Sequence, residues 1–203
     1  MVTALTLIRH GETDWNLERR IQGATDIPLN DTGRAQARAA ADELAAEFDR
    51  RGVTPIVVSS DLQRAHETAR IIAAVLDADA PILYPELRER RYGAAEGMLV
   101  SDYRAHHGGP GRPPADGEEE TALLRTRGVD ALRRIAADVR RATAPADVPV
   151  IAVSHGGLIG ELIRHASGDT LPLAGERIGN ASAHRFVVER DSLRLLSYSA
   201  IAA

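Results

Sequence analysis

Short apolar runs rich in β-branched residues alternate along this chain with longer segments of helical period. That alternation narrows the accessible folds more than any other feature. Buried strands separated by helix-length connections pair in parallel through crossovers, and the crossover helices must cover the faces of the sheet they link. The reading is an α/β fold, a three-layer α/β/α arrangement on a mostly parallel central sheet. Strands are expected over 4–9, 55–59, 82–84 and 148–154, with two late ones over 183–189 and 193–198 that flank a turn at Arg190-Asp191-Ser192. Asp31-Thr32-Gly33 offers a cap for an alanine-rich helix through Phe48, with Leu44, Ala45 and Phe48 on its buried stripe and Gly52 as its exit. Further helices are expected over about 62–76 and 118–143, and after Gly156-Gly157, where Leu158, Ile159, Leu162 and Ile163 share a face.

At 203 residues and 44% hydrophobic content, the chain suits one domain over 1–203. His107-Gly108-Gly109-Pro110-Gly111-Arg112-Pro113-Pro114 is punctuated by Gly and Pro at every step. It marks a loop, lid or insertion around 98–120. The net charge is −4, so no global basic field draws the chain to nucleic acid or to anionic membranes. Aromatics at 3% argue against a stacking platform for single strands. Any anion site must be local, and every basic side chain available to build one is an arginine. Cysteine is absent, which excludes disulfides, thiolate metal sites and a cysteine nucleophile. No run reaches the roughly 18–20 apolar residues of a membrane span, and a cytoplasmic protein is expected. Oligomeric state stays open, a homodimer included.

Three expected strands end in similar chemistry: Arg9-His10-Gly11-Glu12, Ser59-Ser60-Asp61 with Arg64 behind it, and Ser154-His155-Gly156-Gly157. In a parallel sheet these ends converge on one edge, where open α/β sheets place their ligand crevice. Two imidazoles and two guanidiniums there would surround a phosphate with charge-assisted donors, and the glycines would let helix N-termini aim N–H groups inward. A neutral histidine nitrogen can attack phosphorus and split one displacement into two. His10 is expected to be the nucleophile, with its other nitrogen donating to a backbone carbonyl. His155 is expected to bind the transferring oxygens as a cation, and Arg9 and Arg64 to hold the equatorial ones. A proton donor for the leaving oxygen is offered by Glu86 and Glu89, of which Glu89 is the better placed.

These residues identify the chain as resembling the histidine phosphatase superfamily, with its phosphoglycerate mutase-like fold. The likeness spans most of the chain. Leu7-Ile8-Arg9-His10-Gly11-Glu12-Thr13-Asp14-Trp15-Asn16 is similar to the family signature, and Gln22-Gly23 with 26–33 resembles the next block. Ser59-Ser60-Asp61-Leu62-Gln63-Arg64-Ala65-His66-Glu67-Thr68-Ala69 resembles the second-arginine block, Leu87-Arg88-Glu89 through Gly97 the general-acid block, and Val153-Ser154-His155-Gly156-Gly157 the second-histidine block. The resemblance implies that His10 is phosphorylated, that Arg9, Arg64 and His155 form the phosphate pocket, and that Glu89 donates the proton. It also implies phosphate or substrate contacts from Asn16, Gln22, Gly23 and Gly156, and no metal or cofactor.

Cofactor-dependent mutases of this family carry a lysine a few positions past the final glycine of the general-acid block. Here Val100 takes that place, and no later Arg-Arg pair is evident in 107–114. The expectation is therefore a phosphomonoesterase acting on a small phosphorylated metabolite. A phosphoglycerate mutase and a catalytically silent phospho-ligand scaffold are the alternatives. Sugar phosphates, phosphoglycerate derivatives and nucleotide-pathway intermediates all fit the sequence, and leaving-group recognition is expected from 98–116 and 179–182.

Overall fold

The alternation resolves, in a computed structural model that describes residues 2–108 and 111–202, into six helices and a main sheet of six strands among the described residues. Along the chain run β1 (Thr3–Arg9), α1 (Asp14–Leu17), α2 (Asp31–Arg51), β2 (Ile56–Ser59), α3 (Gln63–Val75), β3 (Ile82–Leu83) and α4 (Val100–His106). There follow α5 (Thr121–Thr143), β4 (Val150–Ser154), α6 (Gly156–Ser167), β5 (Glu176–Arg177), β6 (Ala183–Val188), β7 (Leu193–Ser197) and β8 (Ile201–Ala202). The main sheet has the order β3-β2-β4-β1-β6-β7. Its first four strands are parallel and the last two antiparallel, while β5 and β8 form a separate antiparallel pair.

Both faces of the parallel strands are covered, as the crossover argument requires. Alternate residues of β4 go to opposite layers: Ile151 and Val153 pack with Ala41, Leu44, Phe48, Ala69 and Ile72 of α2 and α3, whereas Val150 and Ala152 pack with Leu132, Ile135, Leu158 and Leu162 of α5 and α6. The same period of two sends Ile8 to one layer and Leu5 and Leu7 to the other. No helix among the described residues is long and apolar enough to cross a membrane.

Several local expectations are corrected. Helix α2 is capped by Asn30, whose side chain accepts the Gly33 N–H at 2.8 Å, so Asp31 and Gly33 lie inside its first turn. Gly52 ends it in the left-handed conformation at φ 60°, as its position suggested. Helix α5 starts at Thr121 instead of 118, because Glu118 and Glu119 are drawn into ion pairs with Arg90 and Arg127. Helix α4 lies in the segment read as loop or insertion; none of its residues is buried, so it carried no apolar period to read. Of the Gly-Pro run that follows it, Gly109 and Pro110 lie outside the described residues.

The loop leaving β1 is fastened to α2 by main-chain contact. The Glu12 carbonyl accepts the Asn30 N–H at 3.0 Å, and the Glu12 N–H donates to Gln36 at 2.9 Å. A Cβ on Gly33 would stand 2.1 Å from the Glu12 carbonyl oxygen, and one on Gly11 would stand 2.3 Å from that of Gly33. Helix propensity alone favours Ala over Gly at a helical position by about 1 kcal/mol. The contact reverses that sign. Gly33→Ala is expected to lower the unfolding free energy by about 1–3 kcal/mol, the usual cost of overpacking. A urea midpoint equal to or above the wild type's would show that the two segments can separate without cost.

Candidate active site

The register of the central strands assembles the site. In the β1–β4 pair Arg9 stands opposite Ser154, so the next residues, His10 and His155, leave the sheet side by side. Their ring centroids are 5.2 Å apart and both side chains are buried. Ser59 pairs with Val153, which brings the β2 end and the start of α3, with Arg64, to the same edge. Arg9, His10, Arg64 and Glu89 line a cleft of about 1400 Å³ with Asn16, Gln22, Gly23 and Gly156. His155 lies beneath that lining and is fully buried.

His10 is held by its surroundings in one tautomer. Its Nδ1 is 2.7 Å from the Gly11 carbonyl oxygen, which can only accept, so the proton is on Nδ1 and Nε2 carries the lone pair. Burial, then the charges of Arg64 and Arg9, hold its pKa well below the usual imidazole value despite the opposing Gly11 bond. His155 takes the same direction, from burial first and then from Arg64, His10 and Arg9. Two guanidiniums and a second imidazole disfavour the proton of the cationic His155 expected from the sequence, and an anion between these groups would favour it. Its Nε2 lies 2.9 Å from the Ser60 hydroxyl, and its Nδ1 is buried without a partner in the protein.

Arg64 is fully buried, yet no carboxylate pairs with it among the described residues. Its terminal nitrogens donate to the Thr25 carbonyl at 2.9 Å and the Gly23 carbonyl at 2.8 Å, and its Nε has no partner. Burial lowers its pKa to about 10, with the charges of Glu89, Asp26 and Glu96 opposing that shift. Arg9 donates to the Ile178 carbonyl at 2.7 Å and likewise leaves Nε unpartnered. Gly156 makes room for it, since a Cβ there would stand 3.2 Å from that Nε. Six buried side-chain atoms among the described residues lack partners, and four belong here: Arg9 Nε, Arg64 Nε, His155 Nδ1 and Gln22 Oε1. Such groups are costly in isolation. Three of the four are nitrogens suited to an oxyanion.

Glu89 occupies the place the sequence reserved for phosphate. Its Oε2 accepts the Gly157 N–H at 2.9 Å, and its Oε1 accepts those of Leu158 at 3.1 Å and Arg90 at 2.8 Å. Two of the N–H groups at the N-terminus of α6, those of Gly157 and Leu158, are thus taken by the chain's own carboxyl, while Gly156 lines the cleft. Glu86 is not a competitor for the site; it pairs with Arg134 at 2.6 Å. Asn16 lines the cleft, but its Oδ1 accepts from Thr13 and from Asn180, which leaves only its amide nitrogen to donate.

Sequence reasoning missed the braces around this centre. Asn180 donates to the His10 carbonyl at 3.0 Å, and the Ala181 N–H donates to that of Arg9 at 3.0 Å, so the 179–182 turn supports His10 as well as lining the cleft. His184, to which the sequence assigned no role, anchors that turn. Its Nδ1 accepts the Ser199 N–H, and its Nε2 donates at 2.9 Å to Ser182, whose own proton goes to the Gly179 carbonyl. Thr68 and Ser60 hold the Gly11 N–H and His155; both lay inside the quoted second-arginine block without any feature marking them. The 98–116 segment supplies the outer wall, including Leu99, Tyr103, Arg104, His107 and Arg112.

The model of the histidine phosphatase superfamily (branch 1) matches residues 5–201. An uncharacterized phosphatase, PhoE of Bacillus subtilis, is 35% identical over 199 residues, covering 98% of this chain and 95% of its own. A probable phosphoglycerate mutase, GpmB of Enterobacter, is 37% identical over 176 residues, covering 84% of this chain and 77% of its own. Among solved structures, a mycobacterial glucosyl-3-phosphoglycerate phosphatase in complex with vanadate superimposes with a TM-score of 0.79 at 28% identity, covering 98% of this chain and 100% of its own. With strand register, buried imidazoles and family model in agreement over nearly its whole length, the chain belongs to the histidine phosphatase superfamily, branch 1.

Proposed function

We propose that this enzyme is a phosphomonoesterase that works through a phosphohistidine on His10. The observation that carries the reading is the 2.7 Å bond from His10 Nδ1 to the Gly11 carbonyl, which leaves Nε2 as a fixed, unprotonated nucleophile. In the first step the Nε2–P bond forms as the ester P–O bond breaks. Arg9 and Arg64, through the nitrogens they leave unpartnered, and His155 hold the non-bridging oxygens. Glu89 protonates the departing oxygen. Its Oε2, which accepts a single N–H, is the oxygen with room for that proton. In the second step Glu89 takes a proton from water, the resulting hydroxide attacks phosphorus, and phosphate leaves with His10 restored.

For the substrate we propose a phosphomonoester bearing a carboxylate. Arg19, Arg104 and Arg112 line the outer cleft and form no ion pair with a carboxylate among the described residues. Arg19 holds a left-handed backbone at φ 57°, a conformation unfavourable for a side chain of its size. The names of the mutase and glucosyl-3-phosphoglycerate relatives point to the same class. Hydrolysis is favoured over mutase chemistry because Val100 lines the cleft where the mutases' lysine is expected.

Four outcomes are expected. His10→Ala abolishes release of phosphate from an aryl phosphate, a loss of at least about 10³-fold for a covalent mechanism; equal rates from both proteins would exclude His10. Activity needs no bisphosphoglycerate primer, and dependence on one would make the enzyme a mutase. Because burial depresses the His10 pKa, the nucleophile stays unprotonated as pH falls through 6.5. The acid limb of kcat/KM is therefore expected below that value; a limb at the ordinary imidazole pKa would place an exposed histidine in the rate-determining role. Arg104→Ala is expected to raise KM for 3-phosphoglycerate while leaving an aryl phosphate unaffected.

A further inference from the structure

Glu96 stands outside the cleft lining, yet it spends its whole carboxylate on the loop that holds Arg64. Its Oε1 accepts the N–H of Ala24 at 2.9 Å and of Tyr92 at 3.1 Å. Its Oε2 accepts the N–H of Thr25 at 2.9 Å and the Thr25 hydroxyl at 2.5 Å. The loop wraps the carboxylate so closely that residue 23 must be glycine: its φ is 57°, and a Cβ there would stand 2.2 Å from Glu96 Oε1. On the far side of the same loop, the carbonyls of Gly23 and Thr25 receive the two terminal nitrogens of Arg64.

One peptide unit therefore touches both charges. The N–H of Ala24 and the C=O of Gly23 belong to the same planar amide, with the Glu96 carboxylate at its donor end and the Arg64 guanidinium at its acceptor end. The carboxylate polarises that amide, and the polarised carbonyl becomes a better acceptor for the cation. A carboxylate placed directly on Arg64 would neutralise it and compete with a phosphate for its donors. Passing the negative charge through a peptide stabilises the buried guanidinium and leaves its Nε unpartnered. The charge of Glu96 also opposes the fall that burial imposes on the Arg64 pKa.

We infer that Glu96 is the positioning residue for Arg64, an indirect counter-ion that sets the orientation of the guanidinium toward phosphate through the 23–24 peptide. The inference rests on the reading of Arg64 as a phosphate ligand. It assigns Glu96 no contact with substrate and no share in proton transfer.

A double-mutant cycle tests it, with inorganic phosphate as the probe and titration followed by 31P NMR. Glu96→Gln keeps the size of the side chain but turns an amide NH2 toward one of the two pairs of donors. It is expected to weaken phosphate binding about tenfold, within the range of couplings between residues of one hydrogen-bond network. Arg64→Lys keeps the charge but loses the planar fork that bridges two carbonyls. In that background Glu96→Gln is expected to change phosphate affinity by less than about twofold, because the geometry it protects is already gone. Thr25→Val, which removes only the hydroxyl donor to Glu96, is expected to give a smaller loss with the same dependence on Arg64, and it serves where Glu96→Gln does not fold. A folded Glu96→Gln protein that binds phosphate like the wild type would overturn the inference. So would equal losses with Arg64 and with Lys at position 64, which would mean that Glu96 only supports the fold. Failure of the wild type itself to bind phosphate would instead remove the reading of Arg64 on which the inference stands.

Discussion

Parallel pairing of β1 with β4, in the register that sets Arg9 against Ser154, is the constraint on which the site depends. Each strand is followed at once by a histidine, and this alignment brings the two imidazoles to 5.2 Å. A slip of one residue would turn Ile151 and Val153 away from the α2 and α3 layer and Val150 and Ala152 away from the α5 and α6 layer. The apolar residues that fill the two layers and the polar residues that meet at the strand ends are therefore specified by one register.

What the register collects is a cluster that is unfavourable by itself. A fully buried guanidinium paired with no carboxylate among the described residues and two buried imidazoles with depressed pKa values share one end of the sheet. Carbonyls, not carboxylates, hold both Arg9 and Arg64. Those bonds satisfy geometry without cancelling charge, so the positive field persists where an oxyanion would be received. The nearby carboxyls are kept at one remove: Glu89 is engaged by three backbone N–H groups, and Glu96 faces Arg64 only across a peptide. The remaining buried atoms without partners at this centre are consistent with a pocket whose hydrogen-bonding is completed by a ligand.

The layers of the fold were legible in the sequence because two-sided burial leaves continuous apolar strands and amphipathic helices leave a period. Where neither signal exists, the reading failed. Helix α4 buries nothing, and the β5–β8 pair is only two residues long on each side. The α2 cap was read one residue late because Asn30 and Asp31 are both good caps and only the Gly33 N–H chooses between them. At the site, each proposed catalytic residue stood in a motif, but its partners did not. Asn180, Ser60, Thr68 and Glu96 act through bonds across 57 to 170 residues of chain, and ordinary polar residues of their kinds carry no mark of such a task.

By itself the sequence determined the chemistry available: two histidines and two arginines at strand ends, a glutamate behind a third strand, and no cysteine to compete with them. Local identity and periodicity suffice for that, because they depend on residues near one another in the chain. The tertiary structure alone decided how those groups are charged and aimed. It fixed the proton of His10 on Nδ1, depressed the pKa of His155 by burial beside two guanidiniums, and gave the Gly157 and Leu158 N–H groups of α6 to Glu89. Protonation and orientation follow from solvent exclusion and from fields summed over distant segments, and those exist only once the chain has closed around the site.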